Sequence, residues 1–360
     1  MRVVICTGGT GGHIYPALSL ADAIMDENSE NRILFVGTAN HMEARLIPEK
    51  GYYFQTVEAA GFNGSLFNKL KSFGIMLNSV KDAKKIIRDF KADIVVGFGG
   101  YVSAPVVLAA KNLHLPILLH EQNAYAGRAN LFLERFADKI IICYENVRKQ
   151  FHKETLLLGN PRTYSAVRHE NKEDLYDLYH LDKKRKTILF VMGSQGSESV
   201  NRVLMEALQM FAGKNYQILY ATGRGHYEEV MKNSFPDNVH VEPYIDQVGL
   251  LKNIDLIVTR GGATTASEIG VFGTPSIIIP SPYVPNNHQE LNARALSDQN
   301  GAILLKEKDL SAEKLVQLCD ELMADDQKRA ELSENARKIG YPQAAQDIIK
   351  VMKECIHEHQ

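Results

Sequence analysis

The residues best suited to chemistry in this 360-residue chain are glycines gathered at turns that lead into helices. One stretch, Thr7-Gly8-Gly9-Thr10-Gly11-Gly12-His13, lies between an apolar run at residues 2–6 and apolar residues at helical spacing from Ile14 to Ile24. Residues without side chains let backbone N–H groups approach an oxyanion at the positive end of a helix. The stretch therefore predicts a binding site for a phosphate or another anion. The alternative is that these glycines only allow a tight turn.

A second stretch, Arg260-Gly261-Gly262-Ala263-Thr264-Thr265-Ala266-Ser267-Glu268, is the more specific signal. An apolar strand ends, two glycines turn the chain, and a helix begins with hydroxyl residues whose N–H groups would point outward. This arrangement suits a diphosphate leaving group. Glu268, about one turn inside the helix, could accept both hydroxyls of a ribose. The alternative is a first-turn carboxylate that favours the helix dipole.

Two further glycine turns lie at Gly99-Gly100-Tyr101 and at Gly193-Ser194-Gln195-Gly196-Ser197. Each half of the chain therefore has two such turns, and each half could offer an anion seat. This is what a transferase with two phosphorylated substrates needs. Glycine turns are common in α/β proteins, so some of the four can be purely structural.

Two well-known nucleotide folds are disfavoured by the same residues. A dinucleotide-binding loop would need glycine at position 14, where Ile14 stands. The second strand, residues 32–36, is followed by Gly37 and Thr38 in place of the acidic residue that would hold a ribose. No Gly-Lys-Ser/Thr follows the glycines, which excludes a P-loop.

Composition is that of an ordinary soluble protein, with 45% hydrophobic and 23% charged residues, and the length predicts roughly two domains. The net charge of −2 lacks the excess of positive charge that is typical of nucleic-acid-binding proteins, so no nucleic-acid partner is expected. The four cysteines are far apart, which fits a reducing compartment without structural zinc. We find no secretory signal and no apolar run of about 18 residues.

Short apolar runs alternate with helical segments, which predicts an α/β fold with parallel sheets built from βαβ units. The predicted strands are residues 3–6, 33–36, 94–96, 117–119, 139–142, 187–192, 217–221, 256–259 and 275–279. A break near Gly159-Asn160-Pro161-Arg162 and a polar stretch precede a second strand-and-glycine-turn start at residue 187. We therefore expect two Rossmann-like domains that face one cleft, at residues 1–162 and 163–340, with a helix at 341–357 that returns to the first.

Several motifs in the same order along the chain resemble the MurG family. They are Thr7 to His13, Gly99-Gly100-Tyr101-Val102-Ser103, His120-Glu121-Gln122-Asn123, Gly193 to Gly196, Arg260 to Glu268 and His288-Gln289-Glu290-Leu291-Asn292-Ala293. The resemblance implies a GT-B fold and an inverting glycosyltransferase that needs no cofactor. It also implies UDP-N-acetylglucosamine (UDP-GlcNAc) as donor and undecaprenyl-diphosphate-linked N-acetylmuramoyl-pentapeptide as acceptor, in peptidoglycan synthesis, and thus a role in cell wall biogenesis, cell shape and cell division.

The resemblance also implies roles for individual residues. On the second domain, Ile245 would lie beside uracil, Glu268 would bind the ribose, Ser194 would contact a phosphate, and Gln289 with Asn292 would hold the sugar. The diphosphate turn would consist of Ala263, Thr264, Thr265, Ala266 and Ser267. Thr10, Gly11, Gly12 and Asn123 would complete the site from the first domain. Many relatives have Gly-Asn-Pro-Val-Arg, whereas here Arg162 directly follows Pro161, so the resemblance assigns no substrate contact to Arg162.

Transfer requires that the acceptor hydroxyl lose a proton and that UDP leave with its charge stabilised. His13 is the preferred base, because it follows the first glycine turn and imidazole titrates near neutral pH. His13 could instead orient the acceptor phosphate, and Glu121 and Tyr101 are alternative bases. The chain has no Asp-x-Asp metal motif, so no metal is expected, and helix N-termini with Arg260 would supply the positive potential.

A lipid-linked acceptor requires contact with a bilayer surface. Residues 66–88 mix apolar side chains with basic ones, which suits an anionic membrane face. The apolar members are Leu66, Phe67, Leu70, Phe73, Ile75, Met76, Leu77 and Val80, and the basic members are Lys69, Lys71, Lys81, Lys84, Lys85 and Arg88. The alternative is an ordinary helix with a solvated basic side. The family implies a peripheral protein on the cytoplasmic side of the cell membrane, with protein partners from cell-wall synthesis.

Two other functions stay open from the residues alone. One is a UDP-sugar epimerase or hydrolase on the same fold, which would need no lipid and no basic apolar patch. The other is a non-catalytic module that binds a sugar nucleotide or a membrane.

Overall fold

The computed structural model describes residues 1–59, 66–171, 173–193 and 197–359, with the backbone alone for residues 66–71 and 73. Contacts divide the chain into two units. The first consists of Met1–Ser165 and Tyr341–Gln360, and the second of Ala166–Gly340. Each unit is built on one parallel β-sheet with helices on both faces, which confirms the predicted α/β class.

The first unit has a seven-stranded sheet in the order β3-β2-β1-β4-β5-β6-β7. Its strands are β1 Arg2–Cys6, β2 Arg32–Gly37, β3 Tyr53–Thr56, β4 Ile94–Gly97, β5 Ile117–Glu121, β6 Lys139–Ile142 and β7 Thr155–Leu157. The order reverses between β1 and β4, and in open α/β sheets ligands bind at the carboxyl edge beside such a reversal.

Helices cover both faces of this sheet. They are α1 Gly11–Glu27, α2 Glu43–Glu49, α3 Leu66–Phe90, α4 Ser103–Asn112, α5 Arg128–Leu133, α6 Arg162–Arg168, which continues into the second unit, and α15 Ala344–Glu358, with 3₁₀ helices at Glu134–Phe136 and Glu145–Gln150. Alternate β1 residues point to opposite faces. Val3 and Ile5 pack in one core with α1 and α15, whereas Val4 and Cys6 pack in the other with α4.

The second unit has a six-stranded sheet in the order β10-β9-β8-β11-β12-β13. Its strands are β8 Thr187–Val191, β9 Gln217–Ala221, β10 Val239–Glu242, β11 Leu256–Thr259, β12 Ser276–Ile278 and β13 Ile303–Leu304. Its further helices are α7 Leu175–Leu178, α8 Glu198–Met210, α9 Tyr227–Val230, α10 Gln247–Leu251, α11 Ala263–Phe272, α12 His288–Ser297, α13 Ala312–Ala324 and α14 Asp326–Lys338, with 3₁₀ helices at Pro285–Asn287 and Glu307–Asp309.

All nine strands predicted from apolar runs are present, and four more, β3, β7, β10 and β13, were missed. These four are the edge strands of the two sheets. An edge strand is solvated along one side and short, so it lacks the continuous apolar run of a central parallel strand. Tyr53 in β3, for example, is 76% exposed.

Candidate functional site

The first glycine turn joins β1 to α1 in the first unit. Gly9 has φ +93°, a left-handed conformation that favours glycine. Helix α1 begins at Gly11, so Gly11, Gly12 and His13 are its first three residues, with Thr10 as the extended N-cap. The first N–H groups of a helix have no carbonyl partner within it, so the start of α1 has backbone donors of the kind that an anion-binding site needs.

His13 lies beside Thr10 and beside the second glycine turn of the first unit. Its Nδ1 is 3.4 Å from the Thr10 hydroxyl. Its Nε2 lies close to the second glycine turn, where a Cβ added at Gly99 would be 3.5 Å away. Gly99 also has φ +88°, so the β4 turn and the β1 turn meet around the imidazole. The structure thus brings Thr10, His13 and Gly99 together.

Glu121 and Tyr101, the alternative bases, have different surroundings. Glu121 is 2% exposed, and burial raises the pKa of its carboxyl. Its oxygens accept hydrogen bonds from the Asn123 and Gly127 N–H groups at 3.0 and 2.8 Å and from Asn130 Nδ2 at 2.9 Å. These contacts favour a structural role for Glu121, which fixes the loop that carries Asn123. Tyr101 is 59% exposed.

His120 directly precedes Glu121 in the chain. The sequence did not predict a role for it apart from its place in the motif. It is fully buried, its ring stacks on Phe98 with centroids 4.9 Å apart, and its Nε2 is 3.1 Å from the Gly159 carbonyl oxygen. Burial lowers the pKa of His120 to about 4. His120 is therefore a neutral core residue.

Arg162 begins α6, and its guanidinium carbon lies 5.4 Å from the centre of the Tyr15 ring. Its backbone N–H donates to Asn160 Oδ1 at 2.9 Å. The side chain is thus directed to α1, close to the turn that holds Thr10.

The glycine turn of the second unit is packed tightly against α12. A Cβ at Gly261 would be 2.2 Å from the Gln289 carbonyl oxygen. Asn292 is fully buried and donates its Nδ2 to the Gly261 carbonyl at 3.1 Å. The Asn292 side chain, expected to hold the sugar, thus supports the turn. Gln289 is half-buried, and its Oε1 accepts the Ser281 N–H at 2.9 Å.

The residues predicted to form the diphosphate turn occupy the first turns of α11. Ala263 and Ala266 are buried, and Thr264 and Thr265 are half-buried. The Thr264 hydroxyl has no hydrogen-bond partner among the described residues. Ser267 donates its hydroxyl back to the Ala263 carbonyl at 2.9 Å. Backbone N–H groups are therefore the main anion donors that this turn can offer.

Glu268 is the sixth residue of α11, and the first turn of that helix has no acidic residue. The helix-dipole alternative for Glu268 is therefore wrong. The carboxylate is 2% exposed, and its Oε2 accepts a hydrogen bond from Gln247 Nε2 at 2.9 Å. Gln247, two residues after Ile245, thus holds the Glu268 carboxylate, a contact that was not predicted from the sequence.

Ile245 is 4% exposed and packs in a core cluster that includes Leu250 and Ile269. Its side chain is unavailable to a nucleotide base, so a contact with uracil would come from its backbone. Ser194 lies outside the described residues.

Arg260 differs from its expected role. Its guanidinium is 8% exposed and lies 2.8 Å from Glu307 in an ion pair, while it also donates to the Ile279 carbonyl at 3.0 Å and to the Ser197 hydroxyl. Glu307 already neutralises this charge. Arg260 therefore supports the loops around the turn. Its positive charge, which was expected to stabilise a leaving diphosphate, is already paired with Glu307.

Helix α3 contains part of the predicted membrane stretch. In its described portion, Ser79, Ala83 and Ile87 are buried, Leu77 is 50% exposed, and Lys81, Lys85 and Arg88 are exposed. The side chains of Leu66, Phe67, Lys69, Leu70, Lys71 and Phe73 lie outside the described residues. Within the described helices, none is both long and apolar enough to cross a membrane.

Both halves of the chain match models of known protein domains. Residues 3–142 match the glycosyltransferase family 28 N-terminal domain, and residues 187–351 match the glycosyltransferase family 28 C-terminal domain. A Bacillus cytotoxicus protein named UDP-N-acetylglucosamine–N-acetylmuramyl-(pentapeptide) pyrophosphoryl-undecaprenol N-acetylglucosamine transferase is 40% identical, over 99% of this chain and 100% of the relative.

Solved structures give a consistent result. MurG of Acinetobacter baumannii is 28% identical, with a TM-score of 0.78 over 98% of this chain and 99% of that one. A UDP-GlcNAc 2-epimerase from Neisseria meningitidis, bound to UDP-GlcNAc, has a TM-score of 0.67 over 98% of this chain and 100% of that one. The epimerase is 13% identical, so its likeness extends to the fold alone.

Proposed function

Because this chain belongs to the MurG family of glycosyltransferases, we propose that it transfers N-acetylglucosamine from UDP-GlcNAc to undecaprenyl-diphosphate-linked N-acetylmuramoyl-pentapeptide. This reaction converts lipid I to lipid II in peptidoglycan synthesis. The two parallel α/β sheets agree with the GT-B fold expected for the family.

The observation that carries the proposal is that each unit has its own glycine turn ahead of a helix N-terminus. Helix α1 follows β1 in the first unit, and α11 follows β11 in the second. Both turns lie at the carboxyl edge of a parallel sheet, where such folds bind ligands. Both substrates carry a diphosphate, and each turn suits one of them.

The donor belongs to the second unit in this proposal. The diphosphate binds at the turn formed by Ala263, Thr264, Thr265, Ala266 and Ser267, where the first N–H groups of α11 are the donors. The Ala266 N–H already donates to the Gly262 carbonyl at 2.9 Å. The Ile245 backbone lies beside uracil, and Ser194 contacts a phosphate. Glu268 accepts the ribose hydroxyls, and its link to Gln247 supports this role because it fixes the carboxylate. Gln289 binds the sugar through its amide, whose oxygen also accepts the Ser281 N–H.

The acceptor diphosphate belongs to the turn of Thr10, Gly11 and Gly12, with Asn123 at its side. The acceptor hydroxyl oxygen forms a bond to the anomeric carbon, and the bond from that carbon to the UDP oxygen breaks with inversion. UDP keeps the electron pair, and His13 takes the hydroxyl proton. The position of His13 in the first turn of α1, beside Thr10, supports this assignment.

The protein acts at the cytoplasmic face of the cell membrane as a peripheral protein, alongside partners from cell-wall synthesis. Exposed Lys81, Lys85 and Arg88 with half-exposed Leu77 on α3 support contact with anionic lipid. Replacement of the three basic residues by glutamine should reduce co-sedimentation with anionic vesicles. Equal binding by this variant and its parent would contradict the membrane assignment.

Incubation with labelled UDP-GlcNAc and a short-chain lipid I acceptor tests the activity. We expect UDP release that depends on the acceptor, together with a lipid product that carries the label. UDP release or epimer formation without acceptor would overturn the proposal in favour of a hydrolase or an epimerase. Donor binding without turnover would indicate a non-catalytic module.

A further inference from the structure

Glu43 is a buried carboxylate behind the first glycine turn, and none of the roles above uses it. It is the first residue of α2 and is fully buried. Its Oε1 accepts the Thr38 hydroxyl at 2.6 Å and the Thr38 N–H at 3.2 Å, and its Oε2 accepts the Gly9 N–H at 3.1 Å. The carboxylate therefore joins the turn after β1 to the turn after β2.

The surrounding glycines leave the space that this carboxylate fills. A Cβ at Gly8 would be 2.5 Å from Glu43 Oε1, and a Cβ at Gly37 would be 2.7 Å from Glu43 Cγ. On the other side, a Cβ at Gly100 would be 2.9 Å from the Gly8 carbonyl oxygen. Three adjacent strands, β2, β1 and β4, thus end in turns that pack closely around Glu43 and Gly8.

The contacts of Glu43 favour the ionised acid. Burial raises the pKa of Glu43, but the hydrogen bonds from Thr38 and Gly9 outweigh it, so the pKa lies below its ordinary value. In these three hydrogen bonds the partner donates to the carboxylate, as an anion needs. A glutamine at this position would place its N–H₂ group opposite either the Gly9 N–H or the Thr38 N–H, so that two donors would face each other.

We propose that Glu43 is a positioning residue that holds the Gly8–Thr10 turn in the shape that receives the acceptor diphosphate. The proposal rests on the proposed function for the identity of that ligand. By holding the Gly9 N–H, the carboxylate fixes the backbone directly before Thr10 and the start of α1. The anion-binding turn is therefore preorganised before the substrate arrives. Preorganisation lowers the conformational entropy that the turn loses when the ligand binds.

Glu43→Gln tests this role by kinetics, with Glu49→Gln as the matched control. Glu49 lies on the same helix, has a 55% exposed side chain and pairs with Arg45 at 3.7 Å. In Glu43→Gln we expect kcat/KM for the lipid acceptor to fall roughly ten- to a hundredfold, since a small misplacement of a binding turn has that effect. The Kd for UDP should equal that of the parent, because the second unit is untouched. An unchanged kcat/KM for the acceptor would overturn the proposal.

Hydrogen–deuterium exchange gives a second readout that does not need activity. We expect faster exchange across residues 7–13 in Glu43→Gln, with the rest of the first sheet as protected as in the parent. Thr38→Val, a milder change that removes one donor, should give a smaller rise in the same segment. Unchanged exchange in both variants would overturn the role of Glu43. If the parent enzyme itself fails to transfer the sugar, the proposed function fails, and the exchange experiment still decides the positioning role.

Discussion

Gln247 donates its side-chain amide to the Glu268 carboxylate across 2.9 Å, which joins the start of α10 to the middle of α11. Glu268 is 2% exposed, so this contact replaces water that a carboxylate would otherwise bind. The bond also fixes the plane of the carboxylate, and the bidentate ribose binding that we propose for Glu268 would depend on that plane. The position of this carboxylate therefore depends on a residue outside the Arg260–Glu268 stretch.

Gln247→Ala should weaken donor binding without a matching effect on the acceptor. Without this hydrogen bond the carboxylate must be ordered when the donor binds, at a cost of about 0.5–1.5 kcal/mol, so we expect the Kd for UDP to rise roughly two- to tenfold. Isothermal titration with UDP measures this. Gln317→Ala is the control, because Gln317 makes the same kind of bond to Glu321 on an exposed helix surface. A parental Kd in Gln247→Ala would exclude the positioning role of Gln247.

The two glycines before α11 should differ sharply in their tolerance of a methyl group. A Cβ at Gly261 would be 2.2 Å from the backbone oxygen of Gln289, whereas the nearest atom to a Cβ at Gly262 is 4.0 Å away. Gly262 also has φ −70°, which alanine adopts readily. Gly261→Ala should lower the free energy of unfolding by about 2 kcal/mol.

Gly262→Ala serves as its control and should lower that free energy by about 0.5 kcal/mol, the difference between glycine and alanine at an N-cap. Urea unfolding monitored by circular dichroism compares the two variants. Equal losses in both would mean that α12 can move away from the turn, in conflict with the contact between Gly261 and Gln289.

The central strands and the glycine turns could be predicted from the sequence, because their signals are local. Val3 to Cys6 is a continuous apolar run, and Gly8 to Gly12 follows it directly. The edge strands could not be predicted in the same way, since Tyr53 and its neighbours are half solvated and have no apolar run. Strand order also depends on contacts between distant segments, although the βαβ pattern restricts it.

The residues that support the site were missed for a related reason. Glu43 lies 34 positions from Gly9, and Gln247 lies 21 positions from Glu268. No periodicity links such pairs, so their roles follow from the fold. Arg260 shows the opposite error: its place beside a glycine turn suggested an anion contact, but Glu307 on a distant segment neutralises it.

His13→Ala should reduce turnover far more than donor affinity. General-base catalysis contributes roughly a hundredfold or more, so kcat should fall by at least that factor while the Kd for UDP stays unchanged. Steady-state kinetics at saturating donor and varied acceptor concentration give both kcat and the acceptor KM, and His357→Ala, at an exposed position on α15, is the control. Near-parental kcat would remove His13 as the base. A raised acceptor KM with intact kcat would assign it to orientation of the acceptor phosphate.

His120 should make the stability of the protein depend on pH between about 4 and 6.5. Burial lowers the pKa of its imidazole from 6.5 to about 4, because the ring lies fully enclosed against Phe98. Within this window the unfolded chain binds a proton that the folded chain does not. The free energy of unfolding therefore falls as pH decreases, by about 3 kcal/mol in total from this group.

His120→Gln should remove this dependence while it keeps a donor for the Gly159 carbonyl. The stability difference between parent and variant should thus shrink by about 3 kcal/mol between pH 7 and pH 4. Glu121 has the opposite effect on stability: burial raises the pKa of its carboxyl, so its contribution to the free energy of unfolding falls as pH rises. Because Glu121 is present in both proteins, its effect cancels in the difference between them. Urea unfolding at several pH values measures the difference, with His41→Gln at an exposed position as control. A pH-independent difference for His120→Gln would show that His120 accepts its proton within the folded core.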